Sequence, residues 1–309
     1  MKNKIILANS DAYNAANLSE PLSAYCAGLP IDEGAAELLA FIAPEVKTAK
    51  RFEYTKFGDG VLLADEDDER AVRGEFKEIS ISGDVVNAKL VNHGLSLPID
   101  DDEFFADYEQ EAVRILKNRL VANELSRAVA MAKAAAGTLE SKTWKSGGGT
   151  NPDLDIRKLI TSVGDKGGIN ANRVLIGDAA WTYRLESLLG SQNVASGGQA
   201  MFTIDNLRGF VGAEKILTCD KRFETKVKDS DGKAAKEYKA FLANYVLAFN
   251  ARDGISKFDA STFKRFVGEE GFKVYVEKKT KRTIVTVEHY SLLAQTGVGA
   301  CKGLSVSNS

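Results

Sequence analysis

The stretch DDEFFADYEQEAVRILKNRLVANELSRAVAMAKAAAG, from Asp101 to Gly137, predicts one long helix. Negative charge from Asp100 to Glu103 stands at its start, where the helix dipole favours it, and Gly137 is a natural stop. At 1.5 Å per residue the rod would be about 50 Å long, which is more than most compact domains require. Its apolar residues recur at three- and four-residue steps: Phe105, Tyr108, Ala112, Leu116 and Leu120.

Three β-like runs precede this helix and predict a long, thin β excursion with little core of its own. The runs are Arg51–Phe57, Gly74–Ser82 and Asp84–Leu97. Apolar residues approximate a period of two in the first two runs: Phe52, Tyr54, Phe57, Ile79 and Ile81. Between those two runs, Ala64–Ala71 is expected to be a solvated acidic tip, because its charges would be costly to bury unpaired.

The remaining regions have different patterns. Residues 1–30 are polar and weakly patterned, which predicts an arm, and Glu33–Ala43 predicts a helix that Pro44 ends. Beyond the long helix, the pattern predicts a mixed α/β region and a final hairpin whose charged turn is Lys278–Arg282. The elements expected there are a helix near Leu154–Val163, a strand and helix in Asn172–Ser187, a helix and strand in Asp205–Asp220, a hairpin or loop in Glu224–Lys239, and strands in Ala240–Ala251, Phe272–Leu293 and Gly303–Val306.

The composition is that of an ordinary globular chain. Of the 309 residues, 27% are charged and 44% are hydrophobic, and the formal net charge is −2. This balance argues against tight, sequence-independent binding of nucleic acid, which needs a cationic surface. Three separate cysteines without a CxxC pair argue against a disulfide framework or a zinc site and fit a reducing compartment. Neither a secretory leader nor a membrane-spanning run is predicted.

Motifs that carry chemistry are missing from the sequence. It has two histidines, and neither an HExxH nor a GxSxG pattern is present. The strand and turn at Gly177 offer one glycine where a dinucleotide fingerprint needs three, and Asp178 is expected to cap the helix that follows. The acidic residues Asp65–Glu69 lack the spacing of a calcium loop. We therefore predict no catalytic residue, no metal site and no cofactor.

The order of these elements resembles the major capsid proteins of tailed bacteriophages, which have the Hong Kong 97 fold. An arm, a helix closed by proline, a β excursion, one long helix, a mixed α/β region and final strands follow one another. The stretches FIAPEVKTAKRFEYTKFG, NRVLIGDAAWTYRLES, LRGFVGAEKILTCD and YVLAF are similar to that family. They begin at Phe41, Asn172, Leu207 and Tyr245, respectively.

The resemblance implies an α+β fold of Hong Kong 97 type and a division of the chain into five segments. Residues 1–50 would be the N-terminal arm with a short helix, and residues 51–98 the extended β loop. Residues 99–149 would hold the spine helix of the peripheral domain. Residues 150–271 would form the mixed α/β axial domain, and residues 272–309 would return to the peripheral domain.

The implied function is structural. The chain would self-assemble through hexamers and pentamers into the icosahedral shell of a virion, built in the host cytoplasm around double-stranded DNA that it does not read by sequence. A portal and, because the arm is short, a separate scaffolding protein would be its partners, and no membrane is implied. Two alternatives stay open: an encapsulin-like nanocompartment shell that holds a cargo enzyme, and an α/β nucleotide-binding enzyme that uses the turn at Gly177.

A subunit interface is predicted along the β excursion, because isolated hairpins are marginal in water and their apolar residues need another surface. Phe52, Tyr54, Phe57, Ile79 and Ile81 are the apolar candidates. A second hypothesis pairs the acidic tip with the basic turn across a subunit boundary; the alternative is that both are solvated, since exposed ion pairs contribute little. Its residues are Asp65, Asp67 and Asp68 on one side and Lys278, Lys279, Lys281 and Arg282 on the other.

Overall fold

The computed structural model describes residues 15–30, 33–58, 69–70, 74, 76, 78, 83–103, 105–147, 150–190, 202–228, 234–254, 261–297 and 301–309. Six α-helices and fourteen β-strands lie in these ranges, which makes the fold α+β. The helices are α1 (Glu20–Gly28), α2 (Glu33–Ile42), α3 (Tyr108–Ala136), α4 (Pro152–Gly167), α5 (Asp178–Leu189) and α6 (Ile204–Val211). None of them is long and apolar enough to cross a membrane.

Two five-stranded sheets organise the chain. In the first, β1 (Glu45–Thr48), β11 (Phe263–Gly268), β13 (Arg282–Gln295) and β12 (Lys273–Lys279) follow one another, and β4 (Val91–Asp100) also pairs with β13. The order in the second is β5 (Glu140–Thr143), β14 (Cys301–Ser307), β10 (Tyr245–Phe249), β6 (Arg173–Gly177) and β7 (Lys215–Cys219). Two antiparallel ribbons stand apart from the sheets: β2 (Arg51–Lys56) with β3 (Asp84–Lys89), and β8 (Arg222–Lys228) with β9 (Ala234–Ala240).

The long helix α3 joins the cores of both sheets. Its first half packs Val113 and Leu116 against Val285 and Val287 of the first sheet. Its second half belongs to the cluster of α2 and the second sheet, which includes Leu125. With 29 residues, the helix is about 43 Å long. The helix is longer than one compact domain requires, as the sequence predicts, because it spans two hydrophobic cores.

The predicted start of this helix is wrong. A short 3₁₀ turn covers Asp101–Glu103, Asp107 has a left-handed φ of 63°, and α3 begins only at Tyr108. The reason is strand pairing: β4 continues to Asp100, opposite Arg282, so the chain has to turn before a helix can begin. Gly137 does end the helix, with the positive φ that favours glycine.

The predicted run Asp84–Leu97 is two strands with different partners. Residues 84–89 pair with β2, whereas residues 91–100 pair with β13 of the first sheet. Leu90 separates them: its side chain is buried with Phe266 and Ala294, and its amide donates to the carbonyl of Lys50 at 3.0 Å. The ladder between β4 and β13 therefore anchors one end of the β excursion in a sheet.

The predicted arm contains a folded helix. Ser19 caps α1 by accepting the amide of Leu22, and Pro21 stands in the first turn, where proline is tolerated. Cys26 of this helix is fully buried, in the cluster that holds the first half of α3. The other elements predicted within the described residues are confirmed in kind: α2 ends before Pro44, and residues 222–240 form a hairpin. Most of the predicted run Gly74–Ser82 lies outside the described residues.

Candidate assembly interface

The turn at Gly177 has no room for a phosphate. Strand β6 ends there and α5 starts at Asp178, but the amides of Ala179 and Ala180 donate to the carbonyl oxygen of Ala243 at 3.1 and 3.3 Å. A Cβ on Gly177 would lie 2.1 Å from the same oxygen. The place where a helix N-terminus would hold an anion is therefore filled by the chain's own backbone.

Asp178 does not cap α5 as predicted. Gly177 is the N-cap residue, and no side-chain cap hydrogen bond is made there. Asp178 is the first residue of the helix and pairs with Arg222 at 3.1 Å. The N-terminal amides need no side-chain cap because Ala243 already accepts two of them.

The thiols and the metal-ligating side chains give no reactive site in the part of the chain that the structure describes. Groups of three or more histidine, cysteine, aspartate or glutamate side chains able to hold a metal are absent there. Burial raises the pKa of the Cys219 thiol to about 11 and that of Cys301 to about 12, so both are protonated at neutral pH. The acidic tip with Asp65, Asp67 and Asp68 lies outside the described residues.

His289 belongs to a buried polar cluster that ties α3 to the first sheet. Its Nε2 lies 3.2 Å from the Ser291 hydroxyl and 3.5 Å from the fully buried Glu124 carboxylate of α3. Arg265 of β11 pairs with Glu124 at 2.8 Å and with Glu45 of β1 at 2.7 Å. One guanidinium thus links three elements, so the cluster has a structural role.

The charges of this cluster shift its acid–base behaviour. Burial by itself raises the pKa of Glu124, but the hydrogen bond with His289 and the charge of Arg265 outweigh it and hold that pKa well below its ordinary value. His93 faces His289 across the β4–β13 ladder, with ring centroids 5.7 Å apart. Burial, then the charges of Arg127 and His289, lower the pKa of His93.

The predicted apolar candidates of the first run have partners in their own chain. Phe52 and Tyr54 lie 4.6 and 5.3 Å from the ring of Phe266, and Phe57 is buried, with its amide donating to Thr296. These three side chains therefore have partners within the chain, and Phe52 and Tyr54 stay half-exposed, so their place in a subunit interface stays a prediction. Sequence periodicity missed this because Phe266 is remote in sequence. Ile79 and Ile81 lie outside the described residues.

The basic turn is exposed but not isolated. Lys278, Lys279, Lys281 and Arg282 are all solvent-exposed. Because β4 pairs with β13, the acidic residues at 100–103 lie beside this turn in the same chain: Asp100 is opposite Arg282, and the amide of Asp101 donates to Lys281 at 3.2 Å. Acidic residues of the same chain therefore lie beside the basic turn, and the sequence pattern did not predict this.

Several exposed apolar side chains were also missed as interface candidates. Phe105 is 57% exposed just before α3, and it touches only the edge of Tyr108 among the aromatic rings of the described residues. Exposed single apolar residues are normal, but large aromatic ones are typical anchors of interfaces. The signal in the sequence was an aromatic residue at a position flanked by acids. Phe210 and Tyr238 are exposed aromatic residues of the same kind, and Leu189 is an exposed aliphatic one.

We compared the sequence and the structure of the chain with those of known proteins. No protein-family model and no curated protein matches the sequence. A phage-related protein from Bordetella bronchiseptica RB50 is similar in structure, with a TM-score of 0.66 and 14% identity over 93% of this chain and 97% of that one. The capsid structure of Cyanophage P-SCSP1u matches with a TM-score of 0.51 and 11% identity over 87% of each chain.

The chain has an α+β capsid fold. The predicted resemblance to phage capsid proteins is thereby confirmed at the level of the fold. Within this fold, α3 is the long helix that joins the cores of two sheets, and β2–β3 is a separate two-stranded ribbon that packs on Phe266 of the first sheet.

Proposed function

We propose that this chain is a major capsid protein, a structural subunit that self-assembles into the icosahedral shell enclosing phage double-stranded DNA. The observation that carries the proposal is a capsid fold extending over nearly the whole chain. In closed point-group assemblies each subunit contact is repeated many times, so contacts that are weak singly hold a shell together. No observation of its own favours the encapsulin-like alternative.

Features of the surface support an assembling subunit. Two ribbons, β2–β3 and β8–β9, have only two strands each, and such ribbons are marginal in water without further contacts. In the β8–β9 ribbon, Phe223 stacks on Phe241, the residue after β9, with ring centroids 5.1 Å apart, and Tyr238 is exposed. A neighbouring copy would cover these ribbons and the exposed Phe105 and Phe210.

The finer parts of the proposal follow from the same fold. Residues 51–98 would be the extended loop, residues 99–149 and 272–309 the peripheral domain, residues 150–271 the axial domain, and residues 1–50 the arm. Hexamers and pentamers would form the shell, with a portal and a separate scaffolding protein as partners, in the host cytoplasm. The subunit would act without catalysis, since the turn at Gly177 is occupied by Ala243.

Assembly is tested on the purified full-length chain, alone and co-expressed with the products of neighbouring genes. Electron microscopy and sedimentation velocity should reveal closed particles of uniform diameter, or capsomers that convert to them as concentration rises. A chain that stays monomeric at every concentration and with every co-expressed partner would overturn the proposal. Calorimetric titration with ATP and NAD should give no saturable heat; saturable binding would favour the enzyme alternative instead.

A further inference from the structure

The solvent-facing side of α3 is basic along most of its length. Four cationic side chains lie along the helix outside its buried face and are defined here as the basic stripe: Arg114, Arg119, Arg127 and Lys133. At about 100° per residue, the last three lie within about 120° of one another around the axis, and Arg114 lies outside that arc. Arg114, Arg119 and Arg127 are exposed, and Lys133 is half-buried. After Glu111, the helix contains one acidic residue, Glu124, and that side chain is fully buried against Arg265. The exposed side therefore carries positive charge without interspersed acids from its own helix.

Two of the four cations of the basic stripe already have partners within the chain. Arg114 is held by Glu111 through a hydrogen bond of 2.9 Å, and the Lys133 ammonium lies 3.6 Å from the centre of the Tyr245 ring. Arg119 and Arg127 make no ion pair with any carboxylate among the described residues. In a chain whose net charge is −2, these two guanidinium groups are a local excess of positive charge.

The spacing of these groups suits an extended partner. Arg119, Asn123 and Arg127 are all exposed and follow one another at four-residue steps, so they lie on one side of the helix. At 1.5 Å per residue the two arginines are about 12 Å apart along the axis. All three side chains can donate hydrogen bonds, and arginine binds phosphate through two parallel N–H groups.

We propose that the basic stripe of α3 is the surface through which the subunit contacts the phosphate backbone of double-stranded DNA. The inference rests on the proposed function, because packaged DNA is the polyanion that the inside of a shell meets. The contact is weak and independent of sequence, since few phosphates are engaged per subunit. Repetition over many copies of the subunit then sums small contributions into a DNA-lining surface.

The small residues beside Arg127 favour phosphate over an acidic protein as the partner. Protein interfaces are held by buried aromatic or large apolar anchors. The exposed positions of α3 beside Arg127 hold Ala130 and Ala134, which offer no such anchor. A surface with donors and small side chains binds through charge and hydrogen bonds alone, which is the chemistry of a phosphate backbone.

The test measures binding of a labelled random-sequence DNA duplex by fluorescence anisotropy at several salt concentrations. Exposed Arg→Gln changes leave folding intact, which a thermal unfolding curve checks. The double variant Arg119→Gln/Arg127→Gln should bind DNA at least about 10-fold more weakly at low salt, and the slope of log affinity against log salt should fall by about 2. The matched control Lys145→Gln/Lys158→Gln removes the same charge from exposed positions outside α3 and should bind like the unmodified chain.

Three outcomes would overturn the proposal: no loss in the double variant, an equal loss in the control, or equally tight binding of polyglutamate in place of DNA. Electron microscopy of the same variants separates this inference from the proposed function. If the double variant forms normal shells and still binds DNA as tightly as the unmodified chain, the proposed DNA surface is wrong and the proposed capsid function is unaffected. If the unmodified chain forms no shells but the double variant loses DNA binding, the proposed DNA surface is supported and the proposed capsid function is wrong.

Discussion

A single backbone carbonyl explains why residue 177 is glycine. A Cβ at this position would meet the oxygen and carbon of Ala243 at 2.1 and 2.7 Å, and these are backbone atoms that cannot rotate away. Gly177→Ala should therefore lower the free energy of unfolding by about 1–3 kcal/mol, measured by urea denaturation. Gly209→Ala is the control: the added Cβ meets nothing within 4 Å, so this helical change should be neutral or stabilising. Equal effects of the two changes would contradict the steric explanation.

The buried pair of Asp153 and Arg184 links α4 to α5. The carboxylate accepts two hydrogen bonds, at 2.6 and 3.0 Å, and both side chains are almost fully buried. Arg184→Met leaves a lone buried carboxylate and should cost about 3–5 kcal/mol of unfolding free energy, whereas Asp153→Asn/Arg184→Met should recover part of that loss.

An exposed pair provides the comparison for the buried one. Arg208 and Asp205, 3.3 Å apart on α6, are open to solvent, so Arg208→Met should cost less than about 1 kcal/mol in the same denaturation experiment. If the exposed change costs as much as Arg184→Met, burial is not the reason for the strength of the Asp153–Arg184 pair.

At the scale of elements, one lysine fastens α1 to α3. The buried Nζ of Lys117 donates to the carbonyls of Cys26 and Leu29 at the end of α1, at 2.5 and 2.8 Å, and burial lowers the pKa of this amine. Lys117→Met keeps the apolar stem but removes these charge-assisted bonds. Amide exchange in residues 20–29 should speed up by about 10- to 100-fold, with the second sheet unchanged, measured by hydrogen exchange and mass spectrometry.

Arg119→Met is the matched change on the exposed side of the same helix, and it should leave exchange in residues 20–29 unaltered. Equal acceleration in both variants would show that α1 responds to α3 in general and not to this lysine.

The seam between α3 and the first sheet should weaken in acid. The folded-state pKa values of His93 and Glu124 lie below their ordinary values of 6.5 and 4.5, so the unfolded chain binds more protons as pH falls. Stability is thus fully present above these values, decreasing first near pH 6.5 and again below pH 4.5. Urea denaturation across this range should resolve both steps, and His93→Gln should shrink only the first; an unchanged first step would contradict the assignment.

At the scale of the whole molecule, assembly tests the pairing of the acidic tip with the basic turn. Changing Asp65, Asp67 and Asp68 to lysine should block shell formation, and changing Lys278, Lys279 and Lys281 to glutamate as well should restore it, as counted by electron microscopy. The control combines the same three aspartate-to-lysine changes with glutamate at Lys145, Lys158 and Lys166, which are exposed but lie outside the basic turn. The hypothesis fails if both reversals together assemble no better than the first alone, or if the control also rescues.

Local patterns predicted much of the fold. The proline that ends α2, the glycine that ends α3 and the alternation in β12 and β13 are all properties of short stretches, so each is visible in sequence. The start of α3 was not, because the strand before it continues to Asp100, where it pairs with Arg282, a residue far away in sequence. At the candidate interface, periodicity identified Phe52 and Tyr54 as apolar but could not identify their intrachain partner Phe266, which is far away in sequence.

The amino-acid sequence by itself determined the kinds and order of elements, because helix periodicity, caps and turn residues act over a few positions. Only the tertiary structure decided which surfaces those elements cover. Arg265 meets Glu45 across 220 positions, and Lys117 reaches the end of α1 across 91. The packing of whole elements brings such partners together. The residues of one short stretch do not determine which distant stretch will pack against it.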